Sequence, residues 1–157
     1  MTKRKVLFLV VAVLLLALIL LPALFYGGAL LDPWGLQFRV SDVTPGSLTL
    51  RAVRSPLVPE EKDPRLNLTT GAYYFLEKEQ DGAWAEVPPR ANADDLWIMV
   101  AYGFPRGRRV SWEISDLEYR YGTLPAGRYR IGKTVTRQAE DGTREDRPYY
   151  AVFTLKG

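Results

Sequence analysis

Residues 124–136 read LPAGRYRIGKTVT, and this stretch carries the strongest fold signal in the chain. Apolar and polar side chains alternate along it, which is the period of a β-strand with one buried face. The predicted inward set is Tyr129, Ile131 and Val135, and the predicted outward set is Arg128, Arg130, Thr134 and Thr136. Lys133 falls on the inward side and is expected to break the apolar set.

The entry to this strand is typical of a tyrosine corner. A turn at Leu124-Pro125 leads through Gly127 to Tyr129, whose phenol would bond to the backbone a few residues upstream. Tyr129 is therefore predicted to be structural, because a buried ring with a satisfied hydroxyl stabilises a sandwich. The alternative is a Tyr129 that contacts a ligand.

Short strands separated by turn signals continue on both sides of this stretch. Further strands are predicted at 36–40, 48–52, 72–79, 84–87, 110–114 and 149–155, with hairpin turns at 44–46, 81–82 and 141–142. The segment 96–102 is either a covered strand or a buried irregular segment. Residues 54–67 contain three prolines and are expected to form a long exposed loop. Residues 116–122 are either a helical turn or a crossing loop.

About seven or eight short strands at this spacing predict an all-β fold. The expected architecture is an immunoglobulin-like antiparallel β-sandwich, with an open barrel as the alternative. No amphipathic helix of useful length is predicted within it.

The amino-terminal segment predicts a membrane anchor. Val6 to Tyr26 contains no charge and follows the basic cluster of residues 3–5. As a helix, this segment is long enough to span a bilayer once. Its length favours a retained signal anchor over a cleaved signal peptide, although cleavage at residues 27–29 is the alternative and would release a secreted domain. The positive-inside rule places the amino terminus in the cytoplasm.

The chain divides accordingly into a cytoplasmic basic segment (1–5), a transmembrane helix (6–26), a linker (27–34) and one domain (35–157). Phe25, Tyr26 and Trp34 are expected near the outer membrane interface, or else to be apolar filler and linker. The predicted location is the plasma membrane, crossed once, with the carboxyl-terminal domain extracytoplasmic.

Composition excludes several classes of function. The chain has neither cysteine nor histidine, which excludes disulfides, zinc–thiolate sites and the usual general base, and disfavours a copper carrier. It has 21 basic and 18 acidic residues, and Lys3, Arg4 and Lys5 account for the whole net charge of +3. The neutral domain therefore offers no electrostatic basis for binding nucleic acid.

No catalytic, cofactor-binding or metal-binding residue stands out, so no cofactor is expected. Acidic residues cluster at 60–63, 94–95 and 140–146, and solvated turns are the default interpretation, because none has the spacing of a calcium loop. Trp84 and Trp97 could form an aromatic platform for sugars, whereas Trp112 is predicted to be core. The basic cluster 106–109 could touch anionic headgroups or wall polymers, but a polar hairpin tip is favoured.

Several of these segments resemble the bacterial Ig-like domains of secreted or membrane-anchored surface proteins, whose function is uncharacterised. Residues 35–50 are similar to that family's first hairpin, and residues 76–88 to its second. The most recognisable stretch runs from Trp112-Glu113 through Tyr121-Gly122 and Leu124-Pro125 to Lys133. The resemblance implies an Ig-like sandwich and no catalytic residues, and this chain lacks the cysteine of the lipid-anchored members.

Together these observations predict a membrane-tethered, extracytoplasmic module with a non-catalytic binding, adhesion or structural role. Surface proteins and cell-wall glycans are the expected partners besides the membrane. A carbohydrate-binding module that uses exposed aromatic residues is the alternative. A carboxylate-based glycan hydrolase is less favoured, because it needs two carboxylates at a set separation.

Overall fold

The computed structural model describes residues 3–58, 68–91, 93, 100–138 and 141–156. A long helix α1 (Lys3–Tyr26) is followed by a 3-10 turn (Gly27–Leu30), and a short helix α2 (Leu117–Tyr121) lies late in the chain. The strands are β1 (Leu36–Ser41), β2 (Leu48–Arg54), β3 (Thr69–Thr70), β4 (Phe75–Gln80), β5 (Ala83–Glu86), β6 (Tyr102–Gly103), β7 (Arg109–Ile114), β8 (Gly127–Gln138) and β9 (Arg144–Leu155).

The described strands form two antiparallel sheets. Sheet A has the order β1-β2-β7. In sheet B, β5 pairs with β4 and β4 with β8, while β3 joins β6 to the second half of β8 and β9 lies along the other edge of β8. The chain crosses between the sheets after β2, after β6 and after β7, so the predicted antiparallel sandwich is confirmed.

The core lies between the two sheets and is built from the alternating apolar positions of their strands. Leu50, Leu76 and Ile131 have no exposed surface. The predicted inward residues of β8 are buried as well, and α2 contributes the fully buried Leu117. The helical alternative for residues 116–122 is therefore correct.

The tyrosine corner is present. The Tyr129 hydroxyl donates to the Pro125 carbonyl oxygen at 2.7 Å, and the ring is fully buried and stacks on Phe153 with centroids 5.7 Å apart. The bond ties the loop that precedes β8 to the strand itself. Tyr129 is thus part of the core, as predicted.

Lys133 lies on the inward side of β8, as its position in the alternation predicts, and it is buried there with a relative exposure of 2%. Its amine donates to the carbonyl oxygens of Ala72 and Tyr73 at 2.9 and 3.0 Å. Strand β4 was predicted from Ala72 but begins at Phe75, and the amine binds the two carbonyls of the segment that precedes it.

Two other expectations change. Trp34 is not an exposed interfacial ring but a core residue, 4% exposed, with its ring 6.1 Å from that of Tyr149. Arg54 and Ser55, expected in an exposed loop, are buried at the end of β2. Residues 59–67 of that predicted loop lie outside the described residues, as does most of the segment 96–102.

The 3-10 turn connects α1 closely to the sandwich. Its Ala29 is 1% exposed, and the Gly28 N–H donates to the Gln37 side-chain oxygen of β1 at 3.2 Å. Asp32 then accepts hydrogen bonds from the backbone N–H groups of Trp34 and Leu36 and from the Tyr149 hydroxyl. The predicted linker is therefore bonded to the first and last strands of the domain.

Replacing Tyr129 with phenylalanine tests the tyrosine corner. We expect Tyr129→Phe to lower the free energy of unfolding by about 0.5–1.5 kcal/mol, because the hydrogen bond from the hydroxyl of the buried Tyr129 ring to the Pro125 carbonyl oxygen is lost. Chemical denaturation of the fragment 27–157 followed by tryptophan fluorescence measures this. The control is Tyr102→Phe, since the Tyr102 hydroxyl has no hydrogen bond to a described residue. Equal stability of Tyr129→Phe and wild type would contradict a structural role.

Candidate binding face and inter-sheet cleft

The outer face of sheet B carries an ordered array of aromatic and charged side chains, here called the B face. In its central row Glu86, Glu77, Arg130 and Val152 are neighbours across β5, β4, β8 and β9. The flanking rows bring Trp84 and Tyr150 to either side of Arg130. These strands run side by side because their inward residues fill the core, so the alternation of each strand fixes what the B face presents.

Arg130 is the centre of the B face. Its guanidinium carbon lies 3.9 Å from the centroid of the Tyr150 ring and 4.7 Å from that of Trp84, and its Nε donates to Glu77. Stacking on two rings and an ion pair hold the guanidinium in one place. The cluster of Trp84, Arg130 and Tyr150 is therefore a rigid surface feature.

The neighbouring rows extend this array. Arg128 makes two hydrogen bonds of 2.9 Å to the Glu79 carboxylate and also lies over the Trp84 ring. Phe75 lies across Gly132, where a Cβ would come within 2.4 Å of its ring, and meets the Tyr150 ring edge-on. A glycine at position 132 therefore leaves room for a continuous aromatic strip next to Arg130.

The structure brings only part of the predicted sugar platform to this surface. Trp84 is on the B face, but it is half-buried and its ring is covered by the guanidinium groups of Arg128 and Arg130. Trp97 lies outside the described residues. Trp112, predicted to be a core residue, is half-buried and packs against the edge of the core.

A second candidate site is a cleft of about 370 Å³ at the end of the sandwich, between β7 and β8. Lys133 lies at its base, with the amine 5.4 Å from the centroid of the Trp112 ring. Burial lowers the pKa of Lys133 to about 8. The indole nitrogen of Trp112 is buried and has no hydrogen-bond partner among the described residues.

The polar side chains at the rim of this cleft are bonded to one another. The Tyr74 hydroxyl donates to Asp116 at 2.6 Å, and Arg120 forms an ion pair with the same carboxylate. Burial, followed by the bond to Asp116, raises the pKa of Tyr74 well above its usual range. The Asp116 carboxylate therefore holds Tyr74 and Arg120 in place, which is a structural role.

The acidic clusters do not converge on a site within the described part of the chain. Asp141 and Asp146 are exposed, and hydrogen bonds to Thr143 and Thr136 lower the pKa of each. No group of three or more carboxylates is placed to hold a metal ion among the residues described. Glu60, Glu61, Asp63, Asp94, Asp95 and Glu140 lie outside them.

The basic cluster is not a hairpin tip. Residues 106–109 lie on the crossover from β6 in sheet B to β7 in sheet A, and Arg109 begins β7. The sequence did not indicate the cluster around Arg130 and Tyr150, and it did not indicate which groups would bind Lys133. The available signal was a lysine at an inward position of an otherwise apolar strand, which requires a buried partner.

These observations define an immunoglobulin-like β-sandwich with an amino-terminal apolar helix and an open, structured sheet face. The bacterial Ig-like domain family matches residues 55–148, more than half of the chain, and the chain belongs to this family. The match begins after β2 and ends within β9, so β1 and β2 lie outside the matched residues and complete the sandwich. A search of curated proteins found no match.

The buried amine predicts a specific pH dependence of stability. The folded state releases the Lys133 proton near pH 8, while the unfolded chain keeps it up to the ordinary value of 10.5. The unfolded state thus binds more protons in this window, and the free energy of unfolding rises with pH by up to ~1.4 kcal/mol per unit. Below pH 8 the cost of burying the charge is fully present.

We expect the fragment 27–157 to gain about 2 kcal/mol between pH 8 and 10, and Lys133→Met to lack this gain. Tyrosines such as Tyr74 and Tyr149, whose pKa values are raised by burial, act in the opposite direction above pH 10 and close the window. Urea denaturation at each pH measures the difference. Parallel pH profiles for the two proteins would contradict a buried, charged Lys133.

Proposed function

We propose that the chain is a single-pass plasma-membrane protein whose extracytoplasmic Ig-like module binds another surface protein and catalyses no reaction. The proposed arrangement has residues 1–5 in the cytoplasm, residues 6–26 in the membrane, and residues 35–157 as the binding module. Residues 27–34 connect the two as a short, bonded segment.

The observation that carries the binding role is the Trp84–Arg130–Tyr150 cluster on the B face. Tryptophan, arginine and tyrosine are the residue types most enriched at energetic hot spots of protein interfaces. Here they are pre-organised by stacking and by the Arg130–Glu77 ion pair, so a partner would not have to order them. Val152, 46% exposed, and Tyr73, 48% exposed, supply apolar surface beside them.

The membrane tether rests on the helix itself. α1 is long and apolar enough to cross a membrane, and no residue of its apolar window is buried within the protein. A soluble protein would leave this surface in water, so burial in lipid accounts for it. The basic residues at its start favour a cytoplasmic amino terminus.

Retention of the anchor is supported by the turn that follows it. Cleavage at residues 27–29 would cut through the 3-10 turn, in which Ala29 is buried and Gly28 is bonded to Gln37. Because residues 27–29 are part of the folded structure, an intact chain is favoured over a cleaved, secreted domain.

Two other functions stay as alternatives for the same module. A carbohydrate-binding role at Trp84 would need the indole to be uncovered, and the two arginines would have to move. A glycan hydrolase would need two convergent carboxylates, one with a raised pKa. The described carboxylates with a shifted pKa, Asp42, Asp141 and Asp146, are all shifted downward.

The topology can be tested with single cysteines, because the chain has none of its own. We expect Thr154→Cys in the full chain to react with a membrane-impermeant maleimide in intact bacteria, and α1 to keep the protein in carbonate-washed membranes. Lys5→Cys is the control and should react only after lysis. Reaction of Lys5→Cys alone in intact cells would reverse the topology, and a soluble, shortened product would indicate cleavage.

The B face can be tested by affinity capture. The full chain in nanodiscs would be used to retain solubilised surface proteins and, separately, purified wall glycans. We expect one surface protein to be retained, and Trp84→Ala to weaken its binding by about thirtyfold or more, as the loss of a hot spot does. Arg130→Gln should have a similar effect.

The matched control is Tyr119→Ala, which removes a 58% exposed ring on α2 outside the B face. Equal loss in the control and in Trp84→Ala would reject the B face as the contact surface. Retention of a glycan that depends on Trp84 would favour the carbohydrate alternative, and turnover of that glycan would favour the hydrolase.

A further inference from the structure

The outer face of sheet A, here called the A face, carries three exposed arginines. Arg39 on β1 is directly opposite Arg51 on β2, and Arg51 is opposite Ser111 on β7. In the adjacent row Arg109 lies at the other edge of the same face. Three guanidinium groups thus lie within two neighbouring rows of one small sheet.

The charges on the A face are less compensated than those on the B face. Arg39 and Arg109 form no ion pair with any residue in the described ranges, and Arg39 donates only to the Gln37 side-chain oxygen at 2.9 Å. Arg51 is 3.5 Å from Asp42, and both are exposed. Glu113 is the other acidic residue on this face, and it lies one row beyond Arg51.

The arginines of sheet B are arranged differently. Each of the following four has a carboxylate partner: Arg128 with Glu79, Arg130 with Glu77, Arg144 with Asp146 and Arg147 with Glu145. Among the sheet arginines named above, the two that form no ion pair with a described residue, Arg39 and Arg109, both lie on the A face.

The A face also lies where α1 ends. The Arg109 guanidinium carbon is 5.7 Å from the centroid of the Phe25 ring in the last turn of the helix. The Arg39 guanidinium lies against Gly27, within 2.5 Å of where a Cβ would be. Gln37, next to Arg39 on the outer side of β1, accepts the hydrogen bond from Gly28. If α1 spans the bilayer, these groups lie at the depth of the lipid headgroups.

We propose that the A face binds anionic phospholipid headgroups through Arg39, Arg51 and Arg109, an inference that rests on the proposed membrane tether. Guanidinium groups bind phosphate oxygens through paired N–H donors, and anionic lipid supplies the charge that the A face lacks. The occupant is the bilayer in which α1 is embedded, because the turn brings this face to it. Docking in this way directs the B face away from the membrane.

Because the chain has no cysteine, a single introduced cysteine can carry a fluorophore at a chosen position. The full chain with Ser111→Cys carries a fluorophore on the A face, and Thr154→Cys carries it on the B face as the control. Both nanodisc preparations contain a lipid with a fluorescence quencher on its headgroup. We expect the fluorophore at position 111 to be quenched more in nanodiscs that contain phosphatidylglycerol than in nanodiscs of phosphatidylcholine alone. Quenching at position 154 should stay low in both lipids, and added salt should reverse the effect at 111.

Replacing the arginines with glutamine tests whether their charge binds the anionic lipid. A basic residue at an anionic surface contributes about fivefold, so Arg39→Gln with Arg109→Gln should lower the ratio of docked to undocked protein roughly twenty-fold. The matched control is Arg144→Gln with Lys156→Gln, which removes the same charge from elsewhere on the domain and should leave the ratio unchanged. Circular dichroism verifies that both double variants are folded.

Equal quenching at position 111 in the two lipids, or equal loss in the two double variants, would overturn the A face as a lipid site while leaving the tether intact. Quenching that appears only on addition of an anionic wall polymer would overturn it in favour of that polymer. A chain that fails to enter nanodiscs would overturn the tether and the lipid site together.

Discussion

Strand β8 is bonded along its full length to β9, and its other edge is shared by β4 and β3. The rest of the sandwich depends on this arrangement, because the inward residues of β8 fill the core against sheet A while its outward residues build the B face. The Tyr129–Pro125 bond fixes the start of the strand, and Lys133 fixes the segment that leads into β4. The register of one strand therefore sets both the packing and the presented surface.

The distribution of charge follows from the same two-layer geometry. A neutral domain can still have unlike faces, since its two outer surfaces belong to separate sheets and do not share partners. On the B face, arginines are stacked and paired, which gives a rigid, nearly neutral surface suited to specific protein contact. On the A face, Arg39 and Arg109 are exposed and lie next to the end of α1.

Much of the fold could be predicted, because alternation and turn residues are local signals. The hairpins β1–β2, β4–β5 and β8–β9 and the tyrosine corner are correct for this reason. The burial of Lys133 and of Trp34 could not be predicted, since the partners of each are distant in sequence: the carbonyls of Ala72 and Tyr73 for one, and Tyr149 for the other. The Arg130 cluster joins β5, β8 and β9, and only their pairing reveals it.

The connection between helix and sandwich has an energetic consequence for binding. A flexible linker would let the module rotate freely, and every encounter with a partner would then cost the entropy of fixing its orientation. Here Asp32 bonds the connecting segment to both β1 and β9, and the turn bonds to Gln37, so few rotatable residues separate α1 from the sheets. A second contact with lipid through the A face would remove most of the remaining freedom. The B face would then meet partners from a nearly fixed direction, which raises its effective concentration toward a protein in the same membrane or the adjacent wall.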